Sequence, residues 1–277
     1  MSGFASVRVW AYLRSGLLYL FLVVMAFLSL FPFLWMIIGA TNTSIDVIQG
    51  RIEFGSALTD NVKNLFSQVD VGLVFWNSIK ISAVATLLTL AVSSLAGYGF
   101  EMFRSRAREW TYGGMLLTLM IPFAALMIPL FVLMGKAGLI NTHLAVVLPT
   151  LGSAFIIFYF RQSTKAFPAE LRDAAKVDGL KEWQIFLLIY VPVMRSTYAA
   201  AFIVVFMTSW NNYLWPLIVL QSNEMKTITL VVSSLASAYY PDYGVVMVSA
   251  ILATLPTLVV FFLMQRQFVQ GMLGSVK

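Results

Sequence analysis

Long stretches without Asp, Glu, Lys or Arg are the feature that most limits what this chain can become. Uncharged runs cover residues 15–45, 110–135, 137–160, 196–223 and 243–265, and they are 31, 26, 24, 28 and 23 residues long. A sixth stretch, 74–100, carries only Lys80. About 20 apolar residues in a helix cross the hydrocarbon core of a bilayer. Water is absent there, so each segment must satisfy its own backbone N–H and C=O groups, which an α-helix does. The pattern therefore predicts an all-α integral membrane protein with six transmembrane helices, near 15–41, 74–100, 110–135, 143–161, 196–221 and 244–265. The first of these is too long for a signal-peptide core and lacks a small-residue cleavage site, so a span is expected there. Prolines 122 and 129 predict a kink in the third span.

Composition agrees. Hydrophobic residues make up 60% of the chain and charged residues 11%, against about 25% charged in soluble domains. With no cysteine there is no disulfide framework and no thiolate metal site. The single histidine, His143, leaves little for imidazole chemistry. The net charge of +6 is a matter of topology and not of nucleic-acid binding. If both termini and the 101–109 and 161–195 segments share one side, that side holds thirteen cations: Arg8, Arg14, Arg104, Arg106, Arg108, Arg161, Lys165, Arg172, Lys176, Lys181, Arg195, Arg266 and Lys277. The other side holds Arg51, Lys63, Lys136 and Lys226. The positive-inside rule then predicts cytoplasmic termini. Residues 42–73 and 222–243 fall outside as polar loops, with 227–241 apolar enough to lie at the interface or re-enter.

The densest run of charge lies between the fourth and fifth spans. Glu170, Arg172, Asp173, Lys176, Asp178, Lys181 and Glu182 fall within 13 residues. The run reads as helix, turn, helix. Pro168 suits a first helical position and Glu170 its first turn, where the helix dipole favours an anion. Gly179 can take the left-handed conformation that ends a helix. A second helix is expected from Lys181, interrupted at Pro192. Phe167, Leu171, Ala174 and Ala175 share one side of the first helix, with Arg172, Asp173 and Lys176 opposite. This small apolar face ringed by charge suits a soluble partner.

Phosphate-cradling G-x-x-x-x-G-K-[ST], Gly-x-Ser-x-Gly and His-Glu-x-x-His motifs do not occur in the sequence. Away from their ends, the spans also lack the intramembrane ionisable groups by which ion-coupled carriers work. A membrane-embedded enzyme, or a self-sufficient secondary transporter or channel for a small polar solute, therefore fits less well than a subunit energised by another chain.

Asp173-Ala174-Ala175, Gly179 and Val191-Pro192 resemble the EAA loop of bacterial ATP-binding-cassette importer permeases, with Asp173 standing where that pattern has Glu. The resemblance extends to the maltose-type, carbohydrate-importing permeases through Pro32-Phe33-Leu34-Trp35, Asn77-Ser78, Met120-Ile121-Pro122, Ile128-Pro129-Leu130, Gly138-Leu139-Ile140-Asn141-Thr142 and the segment 210–216. It implies one transmembrane permease domain over 1–277, with the type I importer fold and a cytoplasmic coupling loop at 162–192. The implied setting is a bacterial inner membrane. The implied partners are a second homologous permease, two ATPase subunits that bind ATP and Mg, and an extracytoplasmic solute-binding protein delivering a sugar. The chain itself would hold no cofactor, metal or catalytic group. Glu170, Asp173, Ala174, Ala175, Asp178, Gly179 and Pro192 would form the ATPase-coupling loop. Asn211, Asn212, Tyr213 and Trp215, which combine amides with aromatic rings, are candidates for the substrate pathway.

The cysteine-free sequence makes the topology testable by labelling single cysteines. A membrane-impermeant thiol reagent added outside should modify Ser56→Cys and leave Lys176→Cys untouched. Strong external labelling at position 176 would reverse the orientation.

Overall fold

The computed structural model describes residues 2–273, with side chains from 14 to 265. The side chains of Arg8 and Arg266 lie outside the described residues, as does Lys277. All regular structure among the described residues is helical. Three helices cross a membrane's thickness unaided: α1 (Ser2–Ala40), α4 (Val71–Met102) and α15 (Tyr243–Leu273). Between α1 and α4 lie α2 (Ser44–Ile48) and α3 (Leu58–Gln68). The remaining spans are bent pairs. They are α5 (Arg106–Leu117) with α6 (Phe123–Lys136), α7 (His143–Val147) with α8 (Ala154–Thr164), and the helical run Glu182–Val193 with α12 (Arg195–Trp210). That run comprises α10 (Glu182–Ile185), a π-helical turn (Phe186–Tyr190) and α11 (Val191–Val193), and it is preceded by α9 (Ala169–Val177). α13 (Leu214–Val219) and α14 (Ile228–Ala236) complete the list of helices. The protein is an all-α, multi-pass membrane protein, with up to six spans when each bent pair counts as one.

The chain forms two compact units: Met1–Val69 with Ser234–Leu252, and Asp70–Ser233 with Ala253–Lys277. In the first, α1 exposes nearly all of its apolar surface from Arg14 to Leu34, as a helix bathed in lipid does. The polar stretch after it is not an open loop as expected but the helices α2 and α3. Low hydropathy hid them: Thr43 and Asp46 form a capping box at the start of α2, and the polar Asn61 of α3 is spent on buried bonds. Asn61, 5% exposed, donates from Nδ2 to Ala40 O and Asn42 O, both at 2.9 Å. Asp242 accepts from Ser44 Oγ at 2.6 Å and from Val245 N at 3.3 Å, at the first turn of α15.

In the second unit α4 is the axis, packed by α8 and α12. Besides Ile81, Leu90 and a few other large residues, the buried face of α4 carries Asn77, Ser78, Ser82, Ala85, Thr86, Thr89, Ser93, Ser94 and Gly97. Small residues let helix backbones approach closely in a membrane, where no hydrophobic force distinguishes a helix from lipid. Asn77 Nδ2 donates to Glu224 O at 2.7 Å, and Ser78 Oγ accepts from Ile228 N at 2.7 Å. These bonds hold 224–228 against α4, and Ile228, Leu230 and Val231 of the apolar 227–241 stretch are buried. Asn141, at φ +61, accepts from Gln221 N and Ser222 N at 2.9 and 3.0 Å.

The kink expected in the third span is present, at one of its two prolines, whereas Pro192 acts differently from expectation. The third span turns by 105° between Met120 and Phe123, at Pro122, whereas Pro129 stays inside α6. Pro192 does not interrupt its helix. Its missing N–H and its ring clash are taken up by the π turn at Phe186–Tyr190, and the chain bends by 80° only after Val193. The fifth span does not run to 221. It stops at Trp210, because Asn211 caps α12 by donating from Nδ2 to Met207 O at 2.9 Å.

Gly97 marks the closest helix approach in this unit. A Cβ there would lie 2.7 Å from Phe160 Cβ and 2.8 Å from Arg161 N, whereas one on Gly99 would meet nothing within 4 Å. Overpacking a close contact costs about 1–3 kcal/mol. Gly97→Ala is therefore expected to lower the thermal midpoint of the purified protein, and Gly99→Ala to leave it unchanged or raise it. Equal midpoints for the two would refute the tight α4–α8 approach.

Candidate functional site

The charged segment between α8 and α12 folds as the helix–turn–helix expected of it. Pro168 is the N-cap of α9, one position earlier than expected, and Glu170 lies in the first turn. The helix ends in a Schellman closure. Leu180 N donates to Ala175 O, and Gly179 N to Lys176 O, both at 3.0 Å. Gly179 sits at φ +82, where L side chains are strained. After it, Gln184 Oε1 accepts from Lys181 N at 2.8 Å and starts α10.

One carboxylate ties the two loop helices together. Glu182 Oε1 receives Arg172 Nη2 at 2.6 Å and Lys176 Nζ at 2.9 Å. Its Oε2 receives Arg172 Nε at 3.3 Å and Tyr98 Oη, from the end of α4, at 3.1 Å. The Arg172 guanidinium forks across both oxygens, the strongest geometry for this pair, and lies 5.0 Å from the centre of the Phe103 ring. Three donors, from α9 and α4, thus converge on one carboxylate. Beneath it sits an aromatic knot. Tyr190, fully buried, has its ring 4.8 Å from Tyr98 and 5.3 Å from both Phe167 and Phe186. Its hydroxyl shares a 2.6 Å hydrogen bond with Thr164.

This support orients the outer face of the loop. Glu170, Asp173, Ala174 and Asp178 are exposed, as are Gly179 and Pro192. Val177 is 88% exposed and Trp183 61%. The apolar side expected for α9 is divided. Phe167 and Ala175 turn inward at 5% and 4% exposure, whereas Leu171 and Ala174 face out. The outward surface is thus Leu171, Asp173, Ala174 and Val177 rather than the four apolar residues together, because Arg172 and Lys176 draw Ala175 in when they reach Glu182.

The second candidate group lies at the break between α12 and α13. Asn211 and Tyr213 are at the surface and Asn212 is half-buried, its carbonyl accepting from Thr229 Oγ1 at 3.1 Å. Trp215 is in the core at 1% exposure, with its indole N–H donating to Ala145 O at 2.8 Å. The four residues are adjacent in sequence, but only Asn211, Asn212 and Tyr213 keep solvent-facing surface.

Reading the sequence for site residues passed over two ionic junctions. Besides Arg172–Glu182, Arg161 is buried with its Nε 3.3 Å from Glu101 and with Glu109 on the same guanidinium. Its plane lies 4.0 Å from the Tyr112 ring centre. This junction joins the ends of α4, α5 and α8. An acid and a base ten residues apart across a predicted turn was the available signal for the first pair. None existed for the second, whose members are 52 and 60 residues apart.

The turn that sets the angle between α9 and α10 is open to test. A β-branched residue at φ +82 costs on the order of 1–2 kcal/mol, and nothing crowds a Cβ there. Any defect of Gly179→Val is therefore conformational. Gly179→Val is expected to reduce co-purification of a partner ATPase through a tag on this chain at least several-fold, while Lys181→Ala, whose side chain is exposed, retains it. Equal recovery would make the turn geometry irrelevant to docking.

Comparison with known proteins bears on this arrangement. A family model described as "Binding-protein-dependent transport system inner membrane component" matches residues 90–274, a range that contains the helix–turn–helix. The chain is 75% identical over 252 residues to the lactose transport system permease protein of Rhizobium radiobacter, covering 91% of this chain and 92% of that one. It is 36% identical to an arabinooligosaccharides transport system permease protein of Halalkalibacterium halodurans, covering 95% and 96%. Among solved structures it is similar to a chain of a bacterial ABC transporter involved in import of the acidic polysaccharide alginate. The TM-score is 0.77 at 20% identity, with 95% and 98% of the two chains covered, a likeness in fold.

Proposed function

Because this chain belongs to the binding-protein-dependent transport system inner membrane components, we propose that it is the permease subunit of an ATP-driven sugar importer. In this reading it pairs with a second permease, receives an oligosaccharide from an extracytoplasmic binding protein, and leaves ATP and Mg to two partner ATPases. The 75% identity to a lactose permease over nine-tenths of the chain supports a disaccharide of the lactose type as the solute. The termini and the 162–192 loop are cytoplasmic in this account, by the distribution of Lys and Arg.

The observation that carries the mechanism is the exposed outer face of α9 above a fixed inner one. Asp173, Ala174 and Val177 are free to enter a groove on an ATPase. Asp173 offers a carboxylate to a basic group there, and Ala174 allows close helix approach. Glu182 and the Tyr190 knot pass the displacement of α9 to α4 and to the helical run that leads into α12. When the ATPases close, the spans are pulled as a set, which is what an alternating opening requires. Asn211, Asn212 and Tyr213, at the break after α12, are the groups in this chain proposed to meet passing sugar, with Trp215 holding the turn from behind.

The reading is tested by reconstitution. Proteoliposomes with all four membrane and ATPase subunits should accumulate radiolabelled lactose only with ATP on the ATPase side and binding protein on the other. The chain alone should neither transport nor hydrolyse. Uptake by the chain alone under a proton or sodium gradient would overturn the proposal.

A further inference from the structure

The arginine-rich turn between α4 and α5 plays no part in this mechanism, yet it lines an open cleft of about 470 Å³. Arg104, Ser105, Arg106, Glu109, Trp110, Arg161 and Lys165 form the walls. The charges do not cancel. Glu101 and Glu109 are taken by Arg104 and Arg161, so four cations face two carboxylates. Among the described residues no carboxylate lies within salt-bridge reach of Arg106 or Lys165; Lys165 Nζ donates to the neutral Gln162 Oε1 at 2.7 Å. A surplus of two positive charges thus borders a cavity large enough for a phosphate-bearing head group.

The rest of α5 distinguishes a lipid from a soluble anion. Arg106, Trp110, Gly113, Gly114 and Leu117 follow one exposed strip of the helix, at spacings of three to four residues. Trp110 is 83% exposed and Leu117 66%. The order along the strip is cation, amphipathic indole, bare backbone, then aliphatic side chain, which matches head group, glycerol region and acyl chain. A Cβ on Gly113 or Gly114 would meet nothing within 4 Å, so packing within the chain does not account for two glycines in mid-helix, each costing about 1 kcal/mol relative to Ala. They leave the α5 surface one turn beyond Trp110 without side chains. Basic pockets between membrane helices on the cytoplasmic side are suited to anionic lipid head groups.

We propose that the cleft formed by Arg104, Arg106, Lys165 and Trp110 binds the phosphodiester head group of an anionic phospholipid, with one acyl chain lying over Gly113, Gly114 and Leu117. The site is independent of the solute carried, and its placement at the cytoplasmic leaflet rests on the orientation proposed above. The assembled transporter is placed in nanodiscs of phosphatidylcholine, and phosphatidylglycerol brominated in its acyl chains is titrated into both leaflets. Quenching of Trp110 is read as the difference between the native chain and Trp110→Phe. The expected result is saturable quenching by brominated phosphatidylglycerol and only a shallow, non-saturating response to brominated phosphatidylcholine. Each cation near an anionic surface contributes about five-fold in affinity. Arg106→Gln with Lys165→Gln should therefore shift the midpoint about 25-fold, and Arg106→Lys with Lys165→Arg should restore it.

Four results would each overturn the site. Equal quenching by the two lipids would mean ordinary lipid contact. An unchanged midpoint in the double Gln variant would remove the role of the cations. Displacement by millimolar inorganic phosphate would make it a site for a soluble anion. Absence of any quenching of Trp110 would mean that another subunit covers the strip.

Discussion

Glu182 is the interaction on which the working part of this protein depends. A carboxylate that accepts from Arg172, Lys176 and Tyr98 joins the two neighbouring helices of the loop to the end of α4, 84 residues away in sequence. Charge-assisted bonds of this kind are about twice as strong as neutral ones. The side chain keeps about a third of its surface, so solvent screening reduces each of its ion pairs to about 1 kcal/mol or less. That is modest for stability but sufficient to choose between two orientations of a short helix. The Tyr190 knot supplies the apolar floor, and together they make the loop a rigid bracket rather than a tether.

The membrane explains the remaining architecture. Without water, helices associate through close packing and buried hydrogen bonds, and α4 provides both through its stripe of Ser, Thr and Gly. The bends then occur where a backbone group finds another partner. Asn211 closes α12 through Met207 O, and the π turn before Pro192 absorbs the lost hydrogen bond. Bent spans whose irregular backbone is buried in protein are tolerated at membrane depth, and those facing lipid are not.

Expulsion of charge from the bilayer made the six spans legible, and the left-handed requirement at the end of α9 made Gly179 legible. Both are local constraints written in residue type. The break at Asn211–Tyr213 was not legible, because an uncharged run shows where a chain can cross and not where a side chain caps a helix. The helices α2 and α3 were missed for the opposite reason: their polar residues look like loop until Asn61 and Asp242 are seen bonding to distant backbone and side chains. The apolar face of α9 was read as continuous by helical periodicity. Arg172 and Lys176 pull it around toward Glu182, a tertiary effect that periodicity does not contain. Trp215 looked like a sugar platform beside Tyr213, but its indole N–H is committed to Ala145 O.

The central claim is that the Glu182 bracket transmits motion from ATPase to spans. The direct measurement is the number of ATP molecules hydrolysed per sugar imported by the reconstituted transporter carrying Glu182→Gln, compared with the native protein. The substitution keeps the shape and removes the charge that Arg172 and Lys176 grip. The account predicts that the ATPases remain bound and hydrolysis continues while uptake falls, so that the ratio rises several-fold. An assembled Glu182→Gln transporter with the native ratio would contradict it.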